Sequence, residues 1–120
     1  MRPCFGAKRR SIFGSAIEPK PAGRLEDLLL MADIADRDRG RAAASARLDE
    51  ARALARTIGT RDAAVAVLLT EMALADRSKD PRAVLRSAEA GRALMTDRVD
   101  WRALGFAARA HARLAAGRWR

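Results

Sequence analysis

Residues 49–55 read Asp-Glu-Ala-Arg-Ala-Leu-Ala, and residues 89–95 read Glu-Ala-Gly-Arg-Ala-Leu-Met. Placed over each other at an offset of 40, the two segments share Arg, Ala and Leu, and both open on an acid. Asp62 and Asp100 repeat at an offset of 38, each at the start of a helical pattern. A repeat of this length, built from two helices, is typical of a helical solenoid.

Apolar residues recur at helical spacing from residue 25 onward, which predicts an all-α fold. Residues that end or cap helices stand at the boundaries: Gly40, Gly59, Thr60, Asp80, Pro81 and Asp100. The connections between helices are short, so neighbouring helices should be antiparallel. We expect two stacked hairpins, residues 25–58 and 61–96, followed by an unpaired fifth helix, residues 100–116.

The first helix is expected to start at Leu25, with Glu26 and Asp27 in its first turn, where acids suit the positive end of the helix. Residues 1–23 contain three prolines and three glycines in a basic segment. This density of helix breakers predicts a flexible, disordered tail. The folded domain should therefore cover residues 24–120.

The formal charge of +9 is concentrated at the two ends of the chain. Residues 1–24 contain six basic residues and one acid, and residues 101–120 contain five arginines and no acid. Between them, 13 basic residues face 14 acids. Basic ends on a nearly neutral body are weak support for nucleic-acid binding. The excess of alanine and arginine is attributed to a GC-rich genome and not to a function.

One cysteine, Cys4, excludes an internal disulfide and cannot alone build a zinc site, which favours a reducing, cytoplasmic setting. The longest apolar run, residues 63–69, is too short to span a membrane.

The fifth helical segment contains Trp101, Leu104, Gly105 and Ala108 in the order W-x-x-L-G-x-x-A. This order resembles the W-x-x-L-G-x-x-Y opening of the tetratricopeptide repeat (TPR), of the alanine-rich type found in large bacterial regulatory and signalling proteins. If Gly117 is the turn glycine, Phe106 and Ala110 take the Trp and Gly positions instead. The resemblance covers residues 25–120 and implies a scaffold whose first helices line a peptide-binding groove.

Few residues are candidates for catalysis or metal binding. His111 is the one histidine, and no acid or cysteine follows it, so a histidine at a packing edge is the expected role. Asp33 and Asp36 could suggest a metal site, but their arginine neighbours favour a solvated face. The common nucleotide and metal motifs are absent from the sequence, and we expect no catalytic residue, no metal and no cofactor.

Four residues on the fifth helix form the candidate binding site: Arg102, Phe106, Arg109 and Arg113. Their spacing of i, i+4, i+7 and i+11 places them on one stripe, and by the resemblance this stripe would face the groove. Guanidinium groups bind carboxylates in a bidentate manner, with Phe106 as an apolar contact between them. We expect an acidic protein or peptide segment as the partner, with a solvated arginine face as the alternative.

The opposite stripe of this helix is expected to be buried: Trp101, Leu104, Ala108, His111 and Ala115. Since no sixth helix follows, either this stripe docks on another molecule, for example in a homodimer, or the sequence is a fragment of a longer array.

The sequence thus predicts a non-catalytic protein–protein interaction scaffold or adaptor, a module or fragment of a bacterial regulatory protein. The alternative is a nucleic-acid-associated regulator that uses the basic tail and the C-terminal arginines.

Overall fold

The computed structural model describes residues 20–117, which form five α helices and no strand. The helices are α1 (Pro21–Arg39), α2 (Arg41–Ile58), α3 (Arg61–Arg77), α4 (Pro81–Leu94) and α5 (Trp101–Gly117). The predicted all-α fold of antiparallel hairpins is confirmed. Residues 1–19 of the tail predicted for residues 1–23 lie outside the described residues.

The helices start at regular intervals along the chain. Their first residues are Pro21, Arg41, Arg61, Pro81 and Trp101, one every 20 positions. A hairpin of two helices therefore repeats every 40 residues, in agreement with the offset between residues 49–55 and 89–95. In this register, each residue of α1 is equivalent to the residue 40 positions later in α3, and each residue of α3 is equivalent to the residue 40 positions later in α5.

The predicted boundary residues act as expected. Thr60 caps α3, where its Oγ1 accepts a hydrogen bond from the backbone N–H of Ala63 at 3.2 Å. Asp80 accepts in the same way from Ala83 at 3.2 Å, with Pro81 at the first helical position. Gly59 adopts φ = +73° and ends α2, because glycine reaches the left-handed conformation without a steric penalty.

The start of α1 differs from the prediction. The helix begins at Pro21, four residues before Leu25, with Lys20 at the N-cap position. Proline is favourable at a first helical position because its missing N–H has no intrahelical partner there and its φ already suits a helix. Glu26 and Asp27 consequently lie in the second turn, not the first.

Helix packing follows two rows. Each helix packs against its neighbours in sequence, and α1, α3 and α5 also pack against one another in order. Helices α2 and α4 make no mutual contact. The odd helices therefore form one continuous row, and α3 is the central element, in contact with all four others.

The core divides into two clusters that meet at α3. The first joins α1, α2 and α3 and consists of eleven buried residues: Leu25, Leu28, Leu29, Ala32, Ala44, Leu48, Ala51, Ala55, Ala63, Val67 and Leu74. The second joins α3, α4 and α5 and contains four buried residues: Met72, Ala75, Val84 and Ala110. Around it lie half-buried side chains, among them Leu68, Leu69 and Phe106. No helix within residues 20–117 is long and apolar enough to cross a membrane.

Candidate interaction surface

The face of α5 that was expected to be buried is exposed. Trp101 is 80% exposed and Leu104 49%, and Ala108, His111 and Ala115 are exposed as well. Helix α5 packs inward through the opposite side, where Ala110 is fully buried and Phe106 lies against the second cluster. The prediction was wrong because both sides of α5 carry apolar residues at helical spacing, so periodicity alone could not choose between them.

Three of the four candidate site residues come together on α5. The guanidinium carbon of Arg109 lies 5.0 Å from the centroid of the Phe106 ring, within cation–π range. Arg109 Nε lies 3.3 Å from both carboxylate oxygens of Asp76 on α3. Arg113 Nη1 donates to the same Asp76, at 2.8 Å to Oδ1 and 3.0 Å to the backbone oxygen. Asp76 thus binds both arginines, and Arg109 lies over the aromatic ring.

Arg102 is separate from this group, at the start of α5. Its Nη2 lies 3.3 Å from Oδ2 of Asp100, and its side chain is largely exposed. Asp100 also caps α5, accepting from the backbone N–H groups of Arg102 at 2.9 Å and Ala103 at 3.2 Å. Partial burial opposes ionisation of Asp100, but these hydrogen bonds prevail and lower its pKa below the ordinary value.

A second arginine–aspartate contact joins α1 to α3, and the sequence did not predict it. Arg77 donates from Nη2 to Asp33 Oδ1 at 2.5 Å and from Nη1 to Asp36 Oδ2 at 2.6 Å. The hydrogen bond to Asp33 is the main cause that raises the pKa of Arg77. Arg41 approaches Asp36 at 3.4 Å. The carboxylates of Asp33 and Asp36, for which the sequence suggested a metal site or a solvated face, therefore form ion pairs with arginines.

The aspartates of the two contacts occupy equivalent places in the repeat, whereas their arginines do not. Asp36 and Asp76 are 40 residues apart, and each accepts an arginine from the next odd helix, Arg77 in one case and Arg113 in the other. The equivalent position on α5 is Ala116. The spacing of Asp36 and Asp76 was the available sequence signal, since it matches the offset found between residues 49–55 and 89–95.

An open cleft of about 870 Å³ lies between α4 and α5, above α3. Leu68, Leu69 and Met72 of α3 form its floor. Leu104 and His111 of α5 lie along one wall, so the exposed face of α5 and this cleft are continuous. His111 is exposed and lines this cleft, at the edge of the packing between α4 and α5.

Comparison of the chain with protein-family models, with curated proteins and with solved structures gave no match.

Proposed function

We propose that this chain is a non-catalytic interaction scaffold of the TPR-like kind, which binds an acidic protein segment through α5. The observation that carries the proposal is the group of Phe106, Arg109 and Arg113, held together by Asp76. Arginine side chains that are already fixed lose less conformational entropy on binding than free ones.

The fixed arginines still have hydrogen-bond donors for a partner. A guanidinium group has five N–H donors. Within the described residues, Arg109 uses Nε and Arg113 uses Nη1. The remaining N–H groups can bind carboxylates of a partner. Phe106 is half-buried against the second cluster, and the exposed part of its ring offers an apolar contact beside them.

The charge of α5 supports an acidic partner. The helix contains Arg102, Arg109 and Arg113 and no acid. The row of odd helices, which start 40 residues apart, supports the TPR-like part of the proposal, since in such arrays the first helices line the binding groove. The bacterial regulatory role remains part of the same proposal.

The proposal is tested with a panel of synthetic peptides rich in Asp, Glu and Leu, titrated into the labelled protein and followed by NMR. We expect shifts of the Phe106 and Arg102 signals and an affinity that falls as salt rises. The double variant Arg102→Gln, Arg109→Gln should bind at least ten times more weakly. The matched control is Arg82→Gln, Arg86→Gln, which removes the same charge from exposed positions on α4. Equal loss in both variants, or binding of RNA or DNA in preference to every peptide, would contradict the proposal.

A further inference from the structure

At each junction between consecutive odd helices, the earlier helix contributes one surface, here called the accepting side. The later helix packs against it with a second surface, here called the docking side. At the first junction α1 accepts, through buried residues of the first cluster: Leu25, Leu28, Leu29 and Ala32. The residues 40 positions later are Val65, Leu68, Leu69 and Met72, and the last three line or form the second cluster, where α3 in turn accepts α5. The accepting side therefore recurs at the repeat distance.

The docking side recurs in the same way. Helix α3 docks on the first cluster through Ala63, Ala66 and Val67 together with Leu74. Helix α5 docks on the second cluster through Ala103, Phe106 and Ala110. Positions 103 and 106 lie 40 residues after Ala63 and Ala66. The two internal junctions thus share these two docking positions, with the odd helices side by side.

Two sides of this kind are left without a partner among residues 20–117. The docking positions on α1, obtained by subtracting the repeat, are residues 23, 26, 27, 30 and 34. They include Leu30, 58% exposed, and Ile34, 48% exposed, and Met31 beside them is also exposed. The accepting positions on α5 are 105, 108, 109 and 112, next to the exposed Trp101 and Leu104.

The two free sides complement each other in volume. The accepting side is large on α1 and α3, with leucine or methionine at most positions, but on α5 it has shrunk to Gly105, Ala108 and Ala112. The docking side of α5 has alanine at positions 103 and 110 beside the larger Phe106, whereas α1 has leucine at position 30, which corresponds to Ala110, and isoleucine at position 34. Large side chains on one surface therefore face small ones on the other, as close packing requires.

The two free sides also complement each other in charge. At the third accepting position α5 has Arg109, where α1 and α3 have leucine. At two docking positions α1 has Glu26 and Asp27, both exposed. In the shared register these acids approach the basic helix α5. Opposite charges across an interface favour association and fix its register.

We propose that copies of this chain stack head to tail, with the α1 face of one copy docked on the α5 face of the next. The contact is heterologous, because the two surfaces differ, so each added copy leaves one free face of each kind. The proposal does not depend on the acidic partner. Arg109 belongs to both surfaces, so a docked copy and an acidic partner would compete for it.

The experiment uses the full 120-residue chain in sedimentation velocity and light scattering over a wide concentration range. Leu30→Arg blocks the α1 face, and Ala108→Arg blocks the α5 face. Ala90→Arg, at an exposed position on α4, is the control. Circular dichroism verifies that every variant is folded. The unmodified chain and the control should grow in mass with concentration, without stopping at a dimer, and each blocked variant should stay monomeric.

Mixing the two blocked variants is the decisive measurement. Leu30→Arg keeps a working α5 face and Ala108→Arg keeps a working α1 face, so an equimolar mixture should form a one-to-one complex and stop there. A Leu30→Arg variant that still dimerises would overturn the proposal in favour of an α5–α5 homodimer. A mixture that stays monomeric, or an unmodified chain that is monomeric at every concentration, would overturn it as well.

Discussion

The two halves of the stack differ in how completely they are packed. The first cluster closes three helices around eleven buried residues, five of them leucines. The second cluster has four buried residues, and an open cleft of about 870 Å³ adjoins it. Of all the residues of α5, Ala110 alone is buried. The same hairpin geometry thus yields a closed half and a half with open surface.

This difference indicates where stability and where interaction reside. Burial of apolar area supplies most of the stabilisation of a fold, so the first cluster should dominate the free energy of unfolding. Exposed apolar side chains are concentrated at the two ends of the odd-helix row, on α1 and around the start of α5: Leu30, Met31, Ile34, Val99, Trp101 and Leu104. Contiguous exposed apolar surface is typical of interaction sites.

The largest effect should come from a leucine in the closed half. Leu74 of α3 is fully buried in the first cluster, whereas Leu104 of α5 is half exposed. Leu74→Ala should lower the free energy of unfolding by about 2–5 kcal/mol, through lost burial and a cavity. Leu104→Ala should change it by less than about 0.5 kcal/mol. Urea denaturation at low protein concentration measures both, and similar losses would show that the α5 face is covered in solution.

Local signals in the sequence were sufficient for the helices and their caps. Thr60, Asp80 and Asp100 act within four residues of their own positions, so no knowledge of the tertiary structure was required. The start of α1 was missed because Pro21 was interpreted as a helix breaker instead of a first helical residue. The order of the helices and their antiparallel pairing followed from the short connections.

The orientation of α5 could not be predicted from its own residues. It is set by contacts with α3: Ala110 and Phe106 pack against the second cluster, and Asp76 binds two arginines that lie 33 and 37 residues after it. The sequence therefore predicted the stripe of candidate residues on α5. It did not predict that a carboxylate of α3 binds two of its arginines. The same holds for Asp33 and Asp36, whose arginine Arg77 comes from a helix about one repeat later.

The second prediction compares the arginines at the two junctions. The Asp36 side chain is 7% exposed and depends on Arg77, with Arg41 more distant at 3.4 Å. Arg77→Met leaves this carboxylate poorly paired, which should cost about 1–3 kcal/mol of unfolding free energy. Arg113→Met should cost less, about 1 kcal/mol, since Asp76 is more exposed and keeps Arg109.

Urea denaturation of these two variants, of Asp36→Asn and Asp76→Asn, and of the corresponding double variants gives two double-mutant cycles. Arg77 should couple to Asp36 more strongly than Arg113 couples to Asp76. The reverse order would mean that the open half depends on its ion pairs more than on its apolar packing.

The smallest expected effect is at the start of α5, and it depends on pH. Asp100→Ala removes a cap and should cost about 1 kcal/mol at neutral pH. Since the pKa of Asp100 is lowered in the folded chain, its carboxylate stabilises the fold above the unfolded pKa of about 4, and this contribution is lost as the pH falls through the folded pKa. The difference in melting temperature between the unmodified chain and Asp100→Ala should therefore shrink in acid.

The control is Thr60→Ala, which removes a cap that does not titrate. The loss of melting temperature that it causes should therefore not shrink in acid through protonation of the cap. If the two differences shrink together below about pH 4, the acid effect belongs to the whole fold and not to the Asp100 carboxylate.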